Sequence, residues 1–132
     1  MKRILAAAIG IAGAVLTIGV TAAPAQAAPS SCPSGSFCIY RDVQYLGGVY
    51  TAYGDDNYWY NNTFSNGSPV ADHDSSWFNN GITGPGIPSY TRVYENAYKD
   101  GAMTICLRAG TGFPSKPASS DRGGSHGWFF GC

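Results

Sequence analysis

Few side chains in this sequence are equipped for chemistry, and their surroundings favour structural uses. Gly123-Gly124-Ser125-His126-Gly127 fits the Gly-x-Ser-x-Gly pattern of a nucleophile elbow. Such an elbow needs a strand before it, a helix after it and a histidine later in the chain to take the serine proton. Only five residues follow Gly127, Trp-Phe-Phe-Gly-Cys, so helix and histidine are both missing and no enzyme is expected. The two histidines, His73 and His126, have no His-Glu-x-x-His spacing and no Cys-x-x-Cys pair beside them. Asp72-His73-Asp74 therefore reads as a solvated turn rather than a transition-metal set. Asp55 and Asp56 are adjacent, and neighbouring side chains in a strand or turn point apart, which argues against paired acid–base work. The aromatic clusters Tyr58-Trp59-Tyr60 and Trp128-Phe129-Phe130 have faces that suit sugar rings, but packing in or over a core is the expected use.

These residues belong to a chain built for export. Lys2 and Arg3 give a positive start, Ile4 to Val20 is uncharged and apolar, and Ala25-Gln26-Ala27 fits a small-residue cleavage site, so residues 1–27 read as a signal peptide. The remainder, 28–132, is the length of one domain. Loss of Lys2 and Arg3 leaves six basic against eight acidic side chains, which excludes the dense positive face that nucleic-acid binding requires. A secreted chain with no further apolar span is expected to leave the membrane once processed. All the aromatic residues, nine Tyr, six Phe and three Trp, lie in the exported part. No stretch there keeps a 3.6-residue apolar period, so the expected class is all-β. Four cysteines in an oxidising setting imply two disulfides, with three pairings open.

The organising stretch is Phe37 to Tyr53. Two apolar-rich runs, Phe37–Tyr40 and Gly48–Tyr53, flank Arg41-Asp42 and Gly47-Gly48, the pattern of a folded β-hairpin. Tyr40, Tyr45 and Gly47 are spaced as aromatic, aromatic, glycine. A glycine at 47 takes positive φ and leaves room for a ring, that of Tyr40, to cross the backbone. A fainter copy follows: Tyr94 to Gly101 keeps the seven-residue step, with Tyr98 one place before the position of Tyr45. Asp121, Ser125 and Trp128 echo Asp72, Ser75 and Trp77 with one residue inserted. Between the copies, Gly81 to Ser89 is rich in Gly and Pro and reads as a link. Two sequons, Asn61-Asn62-Thr63 and Asn66-Gly67-Ser68, mark polar surface loop.

This pattern resembles the βγ-crystallin Greek key. The opening Cys32-Pro33-Ser34-Gly35-Ser36-Phe37-Cys38-Ile39-Tyr40 is similar to that of small secreted metallopeptidase inhibitors with a crystallin-like fold, the Streptomyces metalloproteinase inhibitor type. The resemblance implies a disulfide-stapled sandwich of two Greek keys, the first at about 32–80, the link at 81–89 and the second at about 90–132. With sequence proximity, it implies the pairs Cys32–Cys38 and Cys106–Cys132. It implies a monomer that binds an extracellular thermolysin-like peptidase through a rigid surface loop and needs no cofactor. Cys106-Leu107-Arg108 is similar to the first part of the family's reactive segment, although the second nearby cysteine is absent. Leu107 would then enter the peptidase's hydrophobic pocket, with Phe113 in the Gly/Pro/Ser loop as a further candidate. Crystallin-type keys in some members bind calcium, and here Asp72, Asp74 and Ser75 are the candidate ligands, with Ala71 replacing one acid or amide. Two alternatives follow from the same likeness: a calcium-binding structural module, or a secreted killer-toxin-like antimicrobial protein.

Overall fold

Seven short strands carry the described residues. The computed structural model describes residues 26–132, so most of the expected export segment lies outside the described residues. The strands are β1 (Phe37–Asp42), β2 (Leu46–Ala52), β3 (Ser76–Asn79), β4 (Tyr90–Tyr94), β5 (Met103–Arg108), β6 (Thr111–Phe113) and β7 (Ser125–Phe129). They form two antiparallel sheets, β2-β1-β3-β6 and β5-β4-β7. Because successive side chains leave a strand on opposite faces, β1 sends Phe37 and Ile39 one way and Cys38 and Tyr40 the other. Phe37 and Ile39 join Trp59, Trp77, Val93, Ile105 and Leu107 in the core between the sheets. Cys38 and Tyr40 pack outside it with Cys32 and Phe78, under Tyr45 and Val49.

The two halves repeat one device. After β1 the chain makes a 3-10 turn, Val43–Tyr45, in which Gln44 and Tyr45 hold φ of 59° and 61°. After β4 the turn Ala97–Lys99 does the same at Tyr98 and Lys99, with φ of 63° and 60°. Each turn is fastened by a serine from the last strand of its half. The Ser76 hydroxyl donates to Asp42 O at 2.6 Å and accepts Tyr45 N–H at 3.0 Å. Ser125 donates to Asn96 O at 2.6 Å and accepts Lys99 N–H at 2.9 Å. The structural partner of Ser125 is thus Ser76 rather than Ser75, and no residue is inserted between the copies. Asp72 and Asp121, four residues before each serine, both have left-handed φ, 58° and 57°. Gly47 and Gly101 hold φ of 78° and 77°, as the turn demands. A side chain at Gly47 would meet the Asp42 carboxylate, so the position is closed to a Cβ as well as left-handed.

The halves also interlock. β6 comes from the second half but pairs with β3, Trp77 opposite Phe113 and Asn79 opposite Thr111. In return Asp56 of the first half bridges His126 on β7 through two backbone bonds of 3.1 and 2.8 Å. Disulfides join Cys32 to Cys38 and Cys106 to Cys132. Gly/Pro-rich residues 81–89 connect β3 to β4 over the surface.

Candidate functional site

The four residues expected to make an inhibitory loop do not project. β5 runs unbroken through Cys106 and Leu107 to Arg108, turns at Ala109-Gly110 and returns as β6. Strand alternation puts Leu107 on the core side beside Ile105, and it is only 3% exposed, so its side chain is closed to a peptidase pocket. Cys106 is half-buried in its bridge to Cys132, and Arg108 alone is exposed. Phe113 is the last residue of β6 rather than part of a loop, half-buried against the core, with the Lys116 ammonium 4.8 Å above its ring.

The segment that does project is the link. Ile82 to Gly86 are all exposed, and Ile82 shows 56% of its surface. A turn closes its tip, with Ile87 N–H donating to Gly84 O at 3.2 Å and Gly86 at φ 74°. Both ends are tied to one buried side chain. Asn79 Oδ1 accepts Gly81 N–H at 2.9 Å, while its Nδ2 donates to Ser89 O at 3.1 Å and Leu107 O at 2.8 Å. Asn80 adds a second anchor, on the Cys32–Cys38 ring. Its backbone exchanges bonds with Gly35 and Ser36 at 2.7 and 2.9 Å, and its Nδ2 donates to Cys32 O at 2.8 Å. Ser89 O also accepts Ala109 N–H at 2.8 Å, so Arg108 stands at the same end of the molecule. Beside the link is a groove of about 390 Å³, flanked by Tyr53, Asp55, Ile82, Ile87, Pro88 and Trp128. In the sequence the Gly/Pro content marked this stretch only as a connector. The signal available was Asn79-Asn80 at its start and two isoleucines around a Gly-Pro-Gly tip.

The calcium candidates are divided by burial. Asp72 is exposed, Ser75 is half-buried with its hydroxyl 3.1 Å from that of Ser120, and Asp74 is fully buried. The Asp74 carboxylate already accepts Trp77 Nε1–H at 2.9 Å, Arg122 N–H at 3.1 Å and Gly123 N–H at 2.9 Å. It is a cross-tie between the halves rather than a free ligand, and burial pushes its pKa up to about 6 against the lowering effect of those donors. Among the described residues no group of three or more His, Cys, Asp or Glu is placed to hold a metal ion.

The serine of Gly123–Gly127 opens a strand, not an elbow. Ser125 is buried, and its hydroxyl is spent on the turn described above. His126 lies in the interior, where its Nδ1 accepts Trp59 Nε1–H at 2.8 Å and its Nε2 faces Gly54 O at 2.9 Å. Those partners fix the neutral tautomer with the proton on Nε2. Burial lowers its pKa to about 4. His73 is exposed, with Nδ1 2.7 Å from Ala71 O.

Interlocked Greek keys fastened by paired serines, with an exposed, pinned link, define a βγ-crystallin-like scaffold. Solved structures agree on the fold. A structure described under the evolution of the eye lens βγ-crystallin domain fold matches at TM-score 0.57 and 16% identity, covering 76% of this chain and 91% of the other. A βγ-crystallin from an archaeon matches at TM-score 0.53 and 17% identity, covering 74% and 100%. IPSE alpha-1, an IgE-binding crystallin, matches at TM-score 0.52 and 14% identity, covering 74% and 84%. A comparison with curated proteins finds no match. The family model of peptidase inhibitor family I36 matches residues 25–106, well over half of the sequence, and the chain belongs to that family.

Proposed function

We propose that the protein is exported, cut after Ala27, and acts as a monomeric inhibitor of a thermolysin-like metallopeptidase through the link Ile82–Pro88. Membership of the inhibitor family supports the class of activity, and the Asn79 tie supports the site. A substrate-like inhibitor succeeds when its segment is already ordered, because the cost of immobilising it is met in folding rather than in binding. One side chain holds Gly81 at one end of the link and Ser89 at the other. If the peptidase cuts between them, both new ends stay fixed beside each other and the cleft remains occupied. A small disulfide ring would serve the same purpose in the family's reactive segment. Ile82 is the exposed aliphatic side chain of the link available to a hydrophobic pocket, a part that buried Leu107 is not free to play.

The test is a titration of a thermolysin-like enzyme with mature protein at micromolar concentration. Inhibition by the native chain that Ile82→Asp abolishes and Leu107→Val leaves in place supports the reading. Failure to inhibit at that concentration, or inhibition that Ile82→Asp does not touch, counts against it.

A further inference from the structure

Three tyrosines remain unaccounted for by the core or the link. Tyr60, Tyr58 and Tyr98 are 49%, 43% and 73% exposed. Their rings stand in a row, with centroids 5.4 Å apart from Tyr60 to Tyr58 and 6.0 Å from Tyr58 to Tyr98. We infer that this row, with the polar cleft it runs into, is a binding surface for the sugar rings of a neutral polysaccharide.

The internal repeat supplies the control. Tyr58 precedes the 3-10 turn Trp59–Asn61 with φ −151° and ψ 87°; in the other half Lys116 precedes Pro117–Ser119 with φ −150° and ψ 85°. Position 58 therefore corresponds to Lys116 and position 60 to Ala118. Tyr98 occupies the left-handed position that Gln44 fills in the first half, and each donates its backbone N–H to the other half, Tyr98 to Asn57 O and Gln44 to Pro114 O. The same backbone thus forms with Lys, Ala and Gln where this row has three aromatic rings, so the fold does not call for them. Tyr98 is a large side chain at a left-handed φ of 63°, a region that such residues rarely adopt. Its bond to Asn57 O, 2.6 Å long, places it beside Tyr58.

The surroundings select the occupant. Tyr60 also lines a cleft of about 240 Å³ shared with Asp72, Glu95, Asn96, Asp121 and Arg122, where Arg122 and Glu95 are ion-paired. Phenol rings offer flat faces to the C–H side of a sugar while carboxylates, an amide and a guanidinium bond its hydroxyls. The core of a protein–protein patch is instead depleted of charge. The rings are turned by 48° and 40° from one to the next, which suits successive units of a chain more than a single flat ligand. The row lies past the Tyr94 end of β4, whereas the link enters at the Tyr90 end, and none of the three tyrosines lines the groove beside the link.

Depletion of mature protein from solution by insoluble chitin, cellulose and a β-1,3-glucan tests the inference. Retention on at least one is expected. Tyr58→Lys, Tyr60→Ala and Tyr98→Gln together, the residues the other half already carries, should weaken it at least tenfold with an unchanged circular dichroism spectrum. The single variant Tyr98→Gln should weaken it less, and Ile82→Asp should not affect it. Retention on none of the three, retention unchanged by the triple and single variants, or a triple variant that loses peptidase inhibition instead would overturn the inference.

Discussion

Replacing Asn79 with alanine probes the link more sharply than changing any residue within it. The substitution removes three hydrogen bonds, those to Gly81 N–H, Ser89 O and Leu107 O. Each lost bond is worth about 1 kcal/mol: Leu107 O keeps its place opposite Thr91 in the β4–β5 ladder, and Gly81 and Ser89 are half-buried where water can reach them. The sum is a loss of about 3 kcal/mol, or a fall in Tm of roughly 15 °C for a domain of this size. Inhibition should weaken as well, because the ends of the link regain freedom that binding must then remove. About 2 kcal/mol of backbone ordering, one or two residues' worth, corresponds to a Ki about thirtyfold higher. Urea denaturation gives the first quantity and titration of a thermolysin-like peptidase the second, at a temperature where the variant is fully folded. The variant should also be cleaved and released faster. An unchanged Ki in a folded Asn79→Ala protein would refute the pinning argument, and unchanged stability would refute the hydrogen-bond accounting beneath it.

Other expectations follow from the interior. Gly123→Ala places a Cβ 2.2 Å from Trp59 Cζ3 and 2.5 Å from Asp74 Oδ2, so it should destabilise by about 3 kcal/mol in chemical denaturation. Cys106→Ser with Cys132→Ser opens a link across 26 residues and should lower stability by about 3.5 kcal/mol, against about 2 kcal/mol for the six-residue Cys32–Cys38 ring. Two buried groups titrate in opposition. His126, lowered to about 4, removes stability as pH falls from 6.5 through 4, whereas Asp74, raised to about 6, contributes stability below 3.8 that is lost as pH rises through 6. The native chain should therefore have a shallow stability profile between pH 4 and 6. Asp74→Asn should expose a rising profile and His126→Gln a falling one; equal slopes in both variants would contradict the assignments.

Much of the architecture was legible because it depends on local rules. The hairpin at Phe37–Tyr53, the seven-residue step to a positive-φ glycine and its second copy at Tyr94–Gly101 are requirements of backbone geometry, and they survive where the side chains differ. The exchange of β6 between sheets was not legible, since pairing partners far apart in sequence leave no spacing to read. The alignment of Ser125 with Ser75 failed for a related reason: Ser75-Ser76 offers two hydroxyls, and only the bonds to Asp42 O and from Tyr45 N–H distinguish them. Leu107 looked like a reactive residue by resemblance to a motif, but β5 alternation commits it to the core. Asp74 looked like a ligand in a turn, yet its three donors come from Trp77 and from Arg122 and Gly123, far along the chain. The Asn79 tie is not legible because an asparagine at a strand end is ordinary until both ends of the following loop meet it.

The most direct test of the inhibitory reading is to trap the complex of mature protein and a thermolysin-like peptidase, quench it in acid and locate any cut by mass spectrometry. A single cut within residues 82–88, with both fragments held on the enzyme until denaturation, is the predicted result. A cut elsewhere in the domain, or release of the fragments with full recovery of peptidase activity, would contradict it.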